Sequence, residues 1–167
     1  TSFTYVIVGA GSAGCVLANR LSANPENSVL LIEAGAEDKS PLITMPKGFG
    51  KLLTDPTHAT YTSVAPHDGN AHRQEVWARG KMLGGSSAIN GMVYMRGNAA
   101  DYDEWRQRGC TGWDWDSVLP YFKKAEHQER GASEFHGIGG PLRVSDQPHR
   151  SELADRVVEA AIQAGLP

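Results

Sequence analysis

The sequence predicts an α/β fold: a Rossmann-type dinucleotide-binding domain, incomplete and present in its N-terminal part. Three observations predict it. An apolar run near the start leads directly into a G-x-G-x-x-G loop and then a helical pattern. A second apolar run follows and closes on a carboxylate about twenty positions after the loop. Beyond that carboxylate, the strand–helix alternation of a complete six-stranded sheet does not continue.

Residues 3–8, FTYVIV, are β-branched and aromatic and read as a buried strand. Gly9, Gly11 and Gly14 follow at once in GAGSAG, with Ser12 and Ala13 between the last two. Val16, Leu17, Ala18 and Leu21 then recur at helical spacing until Asn24-Pro25 ends the pattern. SVLLIEAG reads as a parallel strand ending at Glu33, followed by Ala34. The three glycines do different physical jobs. Gly9 allows a tight turn, Gly11 lets backbone approach a pyrophosphate, and Gly14 lets helix and strand pack closely. The helix N-terminus offers free N–H groups and a positive dipole end to an anion. Glu33 is placed to accept hydrogen bonds from an adenosine ribose, and its charge disfavours a 2′-phosphate. These features predict a bound dinucleotide and leave NAD and FAD both open.

Composition narrows the classes. At 167 residues, with 40% hydrophobic and 21% charged residues, the chain has the make-up of a globular protein with a real core. A formal net charge of −3 gives no basic footprint for nucleic acid. No apolar run approaches the roughly 18 residues of a membrane helix, and no signal-peptide pattern opens the chain. Cys15 and Cys110 lack metal or redox spacing, and no Asn-x-Ser/Thr acceptor occurs. Two free thiols are the simpler expectation, which leans towards a cytoplasmic protein and leaves a periplasmic or peripheral-membrane one open.

From Ala36 to residue 76 the chain is polar and carries Pro41, Pro46, Pro56 and Pro66. It is expected to be an irregular excursion over a site, with at most a short helix near Phe49–Leu53 and a strand near Tyr61–Val64. RGKMLGGSSAING follows, from Arg79 to Gly91. Its Gly/Ser content resembles a linker, but Met82, Leu83 and Ile89 are apolar anchors that a linker has no use for. A P-loop fails because Met82 follows Lys81 and no glycine stands five residues before Gly80. The glycines therefore mark close backbone approach to a bulky ligand.

GAGSAG with EAG, RGKMLGGSSAING and YMRGNAADYDEW together resemble the glucose–methanol–choline (GMC) family of FAD-dependent oxidoreductases, in its choline- and aliphatic-alcohol-dehydrogenase-like branch. GWDWDSVLPYFKKAE and FHGIGGPLRVS extend the resemblance to essentially the whole chain. The resemblance implies FAD as cofactor, with Gly9 to Gly14 at the pyrophosphate and Glu33 at the ribose. It implies a second cofactor segment from Arg79 to Val93, including Gly80, Met82, Gly84, Gly85, Ser86, Asn90, Gly91, Met92 and Val93. Ile89 stands where some members carry a histidine bonded to the flavin, so a non-covalent flavin is expected. The implied reaction is oxidation of a small-molecule alcohol by hydride transfer to the flavin. Its catalytic base is a late histidine beyond Pro167, so no catalytic residue is assigned among His58, His67, His72, His127, His136 and His149. The chain is then the N-terminal part of a flavoenzyme, whose remaining C-terminal part is its partner. Residues 1–35 are the first βαβ unit, 36–76 the excursion, and 77–167 the second FAD segment leading into the start of an antiparallel-sheet substrate domain. Alone it is expected to expose apolar surface and to be inactive. An amine-oxidase-type flavoprotein is disfavoured because its Gly-Gly pair comes soon after the acidic residue. A non-catalytic dinucleotide-binding module is the alternative outside enzymes.

Asp101 is expected to cap a short helix rather than ligate a metal. Trp113 and Trp115 are expected to pack, and Pro120 to limit a helix around Val118–Lys124. SELADRVVEAAIQAG reads as a helix capped by Ser151, with Leu153, Val157, Ala161 and Ile162 on one face and Gly165 and Pro167 at its end.

Overall fold

The computed structural model describes residues 2–148 and 151–166. It divides into two compact units between Val93 and Tyr94. His149 and Pro167, named above, lie outside the described residues.

In the first unit β1 (Tyr5–Val8) leads through the glycine loop into α1 (Ser12–Leu21), and β2 (Val29–Ile32) pairs parallel with β1 in the register Tyr5↔Val29 to Val8↔Ile32. This is the predicted βαβ unit. The strand expected to be buried is exposed, however, with Val6 at 56% and Val8 at 82%. A parallel strand is buried only when neighbours flank it and helices cover both faces, and β1 has β2 alone beside it.

The excursion is more ordered than its composition predicts. Ser40 caps α2 (Pro41–Thr44) by accepting from the Leu42 N–H, and α3 (Phe49–Leu52) falls where a short helix was expected. Then β3 (Ala59–Val64) and β4 (Glu75–Gly80) form an antiparallel pair. The expected boundary at 76–77 therefore falls inside a strand. The strand EVWARG left little apolar signal because both faces of the two-stranded sheet stay largely open, with Val76 and Trp77 both exposed. Leu52, Ala59, Met82 and Ile89 close into a buried cluster with Leu42, Ile43, Leu53 and Ala88 packed on it. This core joins the excursion to residues 82–89, so the Gly/Ser-rich stretch is part of a packed unit and not a linker.

In the second unit α4 (Ala99–Gln107) is capped by Asn98. Asp101, expected as the cap, is the reciprocal member of a capping box, its carboxylate accepting the Asn98 N–H at 2.9 Å. Asp114 caps α5 (Trp115–Ala125), which runs through Pro120 instead of being limited by it. The proline forfeits the bond to the carbonyl of Asp116, an exposed residue in the first turn of the helix. Tyr102 lies at the centre of an aromatic cluster with Trp105, Trp115 and Phe122, ring centroids 5.3, 5.4 and 5.8 Å away, and Trp113 packs edge-on to Trp105. Glu126 is wholly buried, paired with Arg96 and accepting from His136 Nδ1 at 2.8 Å. It opens β5 (Glu126–Gln128), which pairs parallel with β6 (Leu142–Val144). The antiparallel pairing among the described residues is that of β3–β4. The last helix, α6 (Glu152–Gln163), has Ser151 at its N-cap position, but that side chain makes no capping bond. Leu153, Val157 and Ile162 stand exposed along it.

Candidate functional site

The three glycines of the first loop are glycine for three different reasons. Gly9 has φ +96°, a backbone conformation that a side chain resists. A Cβ on Gly14 would lie 1.9 Å from the Gly9 carbonyl oxygen, so α1 could not seat against the loop. Gly11 is different: its φ of −78° suits any residue, and a Cβ there would meet no atom within 4 Å. Among the described residues nothing requires glycine at this position. Gly11 is also the N-cap of α1, has no side chain to cap with, and leaves the N–H groups of the first turn without intrahelical acceptors. Ser12 and Ala13 in that turn are exposed.

Glu33 follows β2 and reaches back to the same loop. Its Oε2 accepts the Ala10 N–H at 2.8 Å, and its Oε1 accepts the Gly35 N–H at 2.9 Å. The bond from Ala10, then that from Gly35, holds its carboxyl below the usual carboxylate range against a smaller opposing effect of burial. The carboxylate is thus a clamp between the two βα-side loops, and each oxygen retains lone-pair capacity for a further donor. Ala34 is exposed beside it.

The second glycine segment packs directly on this clamp. The Gly84 N–H donates to the Ala10 carbonyl at 2.8 Å, and the Leu83 N–H donates to the Ala36 carbonyl at 3.1 Å. Gly85, at φ +54°, abuts the first loop so closely that a Cβ on it would come 2.8 Å from the Gly11 Cα. A Cβ on Gly80 would lie 2.2 Å from the Gly85 carbonyl oxygen, and one on Gly35 would lie 2.0 Å from the Lys81 carbonyl oxygen. Two glycine motifs more than sixty residues apart thus come together as closely apposed, partly buried backbone around Gly11.

Not every predicted site residue takes part through its side chain. Met82 is 1% exposed and belongs to the core. The Arg79 guanidinium lies over the Trp77 ring, 4.9 Å from its centroid, and bonds to the Ala78 carbonyl. Ser86 Oγ accepts the Gly80 N–H at 3.1 Å. Asn90, Gly91, Met92 and Val93 form an exposed stretch after Ile89, which is itself buried in the core. Sequence reasoning missed Ala10 and Gly35, the two donors to Glu33. The Gly that closes EAG was the available signal for Gly35; Ala10 carries none.

The described histidines make local contacts. His58 Nδ1 pairs with Asp55 at 2.7 Å, His67 Nδ1 accepts the Gly69 N–H, and His127 Nδ1 accepts the Gly139 N–H. Among the described residues, no group of His, Cys, Asp or Glu is arranged to hold a metal, and no helix is long and apolar enough to cross a membrane.

The family model described as GMC oxidoreductase matches residues 3–167. An alcohol dehydrogenase [acceptor] of Pseudomonas putida is 47% identical over 165 residues, covering 98% of this chain and 30% of that protein. A mitochondrial choline dehydrogenase of Mus musculus is 44% identical over 172 residues, covering 99% of this chain and 29% of that protein. The chain therefore spans under a third of the length of these curated relatives. Among solved structures, pyridoxine 4-oxidase from Mesorbium loti superposes with a TM-score of 0.89 at 39% identity, over 99% of this chain and 33% of that one. A formate oxidase of Aspergillus oryzae, studied for modification of its FAD, gives 0.80 at 31% identity over 99% and 31% of the two chains.

Proposed function

This chain belongs to the GMC oxidoreductase family, and from that premise we propose that it is the FAD-holding part of an enzyme that oxidises a small-molecule alcohol. The observation that carries the reading is Gly11: a glycine that neither backbone conformation nor packing demands, at an uncapped helix N-terminus, beside a second glycine segment. Such a surface fits a pyrophosphate, whose oxygens need N–H donors and close approach. The N–H groups of Ser12, Ala13 and Gly14 would hold the pyrophosphate. The clamped Glu33 carboxylate would take the adenosine ribose hydroxyls and exclude a 2′-phosphate. The backbone of residues 90–93 would face the flavin ring.

When bound, FAD supplies a hydride acceptor for the carbinol carbon. This chain's contribution is to bind and orient that group and to keep water from its buried edge. Ile89 offers no nucleophile to the flavin and is buried in the core, which supports a non-covalent cofactor. The proton acceptor and most of the alcohol pocket belong to the remaining C-terminal part of the enzyme, the partner we assign to this chain. The two free cysteines support a cytoplasmic location.

Purification of the full-length protein tests the reading. A yellow protein that releases its flavin into the supernatant on acid precipitation, and whose flavin is bleached anaerobically by a primary alcohol, is the expected result. Flavin retained in the pellet would refute the non-covalent assignment. A colourless protein that takes up no FAD would overturn the function. Bleaching by amines and not alcohols would favour the amine-oxidase alternative, and stable flavin with no reducing substrate would favour a non-catalytic module.

A further inference from the structure

Three non-glycine residues have positive φ among the described residues: Ala71, His72 and Met92. Ala71 and His72 close a tight turn and are fixed by several turn hydrogen bonds, including Ala71 N–H to Asp68 and His72 N–H to His67. Met92, at φ +57°, has no such frame. Its side chain is 55% exposed, so no packing forces the conformation. One bond holds it: Asn90 Oδ1 accepts the Met92 N–H at 2.9 Å. Upstream, Ile89 is anchored in the core, so Asn90 is the first residue free of it. Downstream, Val93 and Met95 are 78% and 81% exposed. The N–H groups of Gly91 and Val93 find no acceptor among the described residues. A residue held in a disfavoured region by a single side-chain bond, with free donors on either side, is strain kept where backbone must face a ligand.

We propose that Asn90 is a positioning residue for the cofactor-facing backbone. Its carboxamide oxygen holds Met92 left-handed, and this leaves the Gly91 and Val93 N–H groups available to the hydrogen-bond acceptors of a flavin ring. Asn90 acts through the Met92 N–H and not by its own contact with the cofactor. The inference rests on the proposed FAD site and deepens it.

The two roles predict different substitution patterns in the full-length protein. If the carboxamide oxygen matters as an acceptor for Met92, Asn90→Asp preserves the turn, whereas Asn90→Ala loses it. If the amide N–H₂ touches the flavin, both variants fail alike. Glycine adopts φ +57° without help, so Met92→Gly should compensate for a missing turn. The expected result is that Asn90→Ala weakens FAD retention about tenfold, the scale of an unsupported left-handed residue, and shifts the visible flavin band. Asn90→Asp should fall well short of that loss, and Asn90→Ala/Met92→Gly should recover most of it. In flavin-free protein Met92→Gly should raise the thermal midpoint. Equal damage from Ala and Asp, or no recovery in the double variant, overturns the inference while leaving the FAD site standing. A wild-type protein that binds no flavin overturns both.

Discussion

Replacing Glu33 by glutamine tests the clamp that joins the two halves of the site. Both carboxylate oxygens accept backbone N–H groups, from Ala10 at 2.8 Å and from Gly35 at 2.9 Å. An amide has one oxygen, so in either orientation it turns an N–H₂ towards one backbone donor. One charge-assisted bond is lost outright, and the other becomes a neutral one. Hydrogen bonds to charged groups contribute about 1.5–3 kcal/mol each. Glu33 is only partly buried and water can take over some of the freed donor, so we expect a net loss of about 2 kcal/mol. FAD binding should weaken as well, because the neutral amide no longer offers a charged acceptor to the ribose hydroxyls. The lost bonds should lower the thermal midpoint of flavin-free protein, because the clamp precedes the ligand. The pH dependence has a definite sign. A carboxyl held below its usual range stabilises the fold at pH values above that range, and the contribution fades as pH falls through the lowered value. Wild type should thus lose this increment on acidification and Glu33→Gln should not. Calorimetry on full-length apoprotein, with and without FAD, reads all three effects. An unchanged apoprotein midpoint together with a dissociation constant within twofold of wild type would refute the clamp.

Other substitutions probe other joints. Gly85→Ala combines a left-handed backbone with a Cβ 2.8 Å from the Gly11 Cα; a stability loss of about 2 kcal/mol and an FAD loss of at least tenfold are expected by denaturation and flavin titration. Glu126→Gln leaves Arg96 without its carboxylate partner beside a buried site; urea unfolding should show a loss of about 3 kcal/mol, the lower end for breaking a buried pair. Asp55, held at about 2 by the Thr57 hydroxyl and N–H and then by His58, should show a carboxyl resonance titrating near that pH, and a midpoint in the ordinary Asp range would contradict the observed pairing.

What could be read from the sequence was what local spacing encodes. GAGSAG between an apolar run and a helical pattern fixes strand, loop and helix without tertiary information, and SVLLIE places β2 and its terminal carboxylate. Contacts between distant segments could not be read in the same way. That Glu33 is held by Ala10, and that Gly85 rests on Gly11, depends on how residues 10, 33 and 85 meet, and no periodicity carries that. The strand β4 carries no legible pattern because neither of its faces is covered in this unit. Asn98 displaces Asp101 as the cap because both side chains can accept at a helix start, and their reciprocal bonds decide the frame only once the turn forms. Pro120, inside the helix, does not limit it: the hydrogen bond it forfeits is the one to the carbonyl of Asp116, an exposed residue of the first turn.

The exposure of β1 is the point at which local correctness and stability part. Each unit leaves an excess of apolar side chains in water. Much of the excess apolar surface sits on elements whose sequence pattern marks them for burial: Val6 and Val8 on β1, and Leu153, Val157 and Ile162 on α6. Two parallel strands with one helix do not bury a sheet, and an amphipathic helix with its apolar stripe in water gains nothing from the stripe. These residues are patterned for neighbours that the described residues do not provide. The glycine surface around Gly11 does not share that dependence, since the Glu33 clamp, the Gly84–Ala10 bond and the Leu52–Ile89 core all close within residues 10–89. The apposition of the two glycine loops is therefore closed within the first unit, while the burial of the sheet that carries it is not.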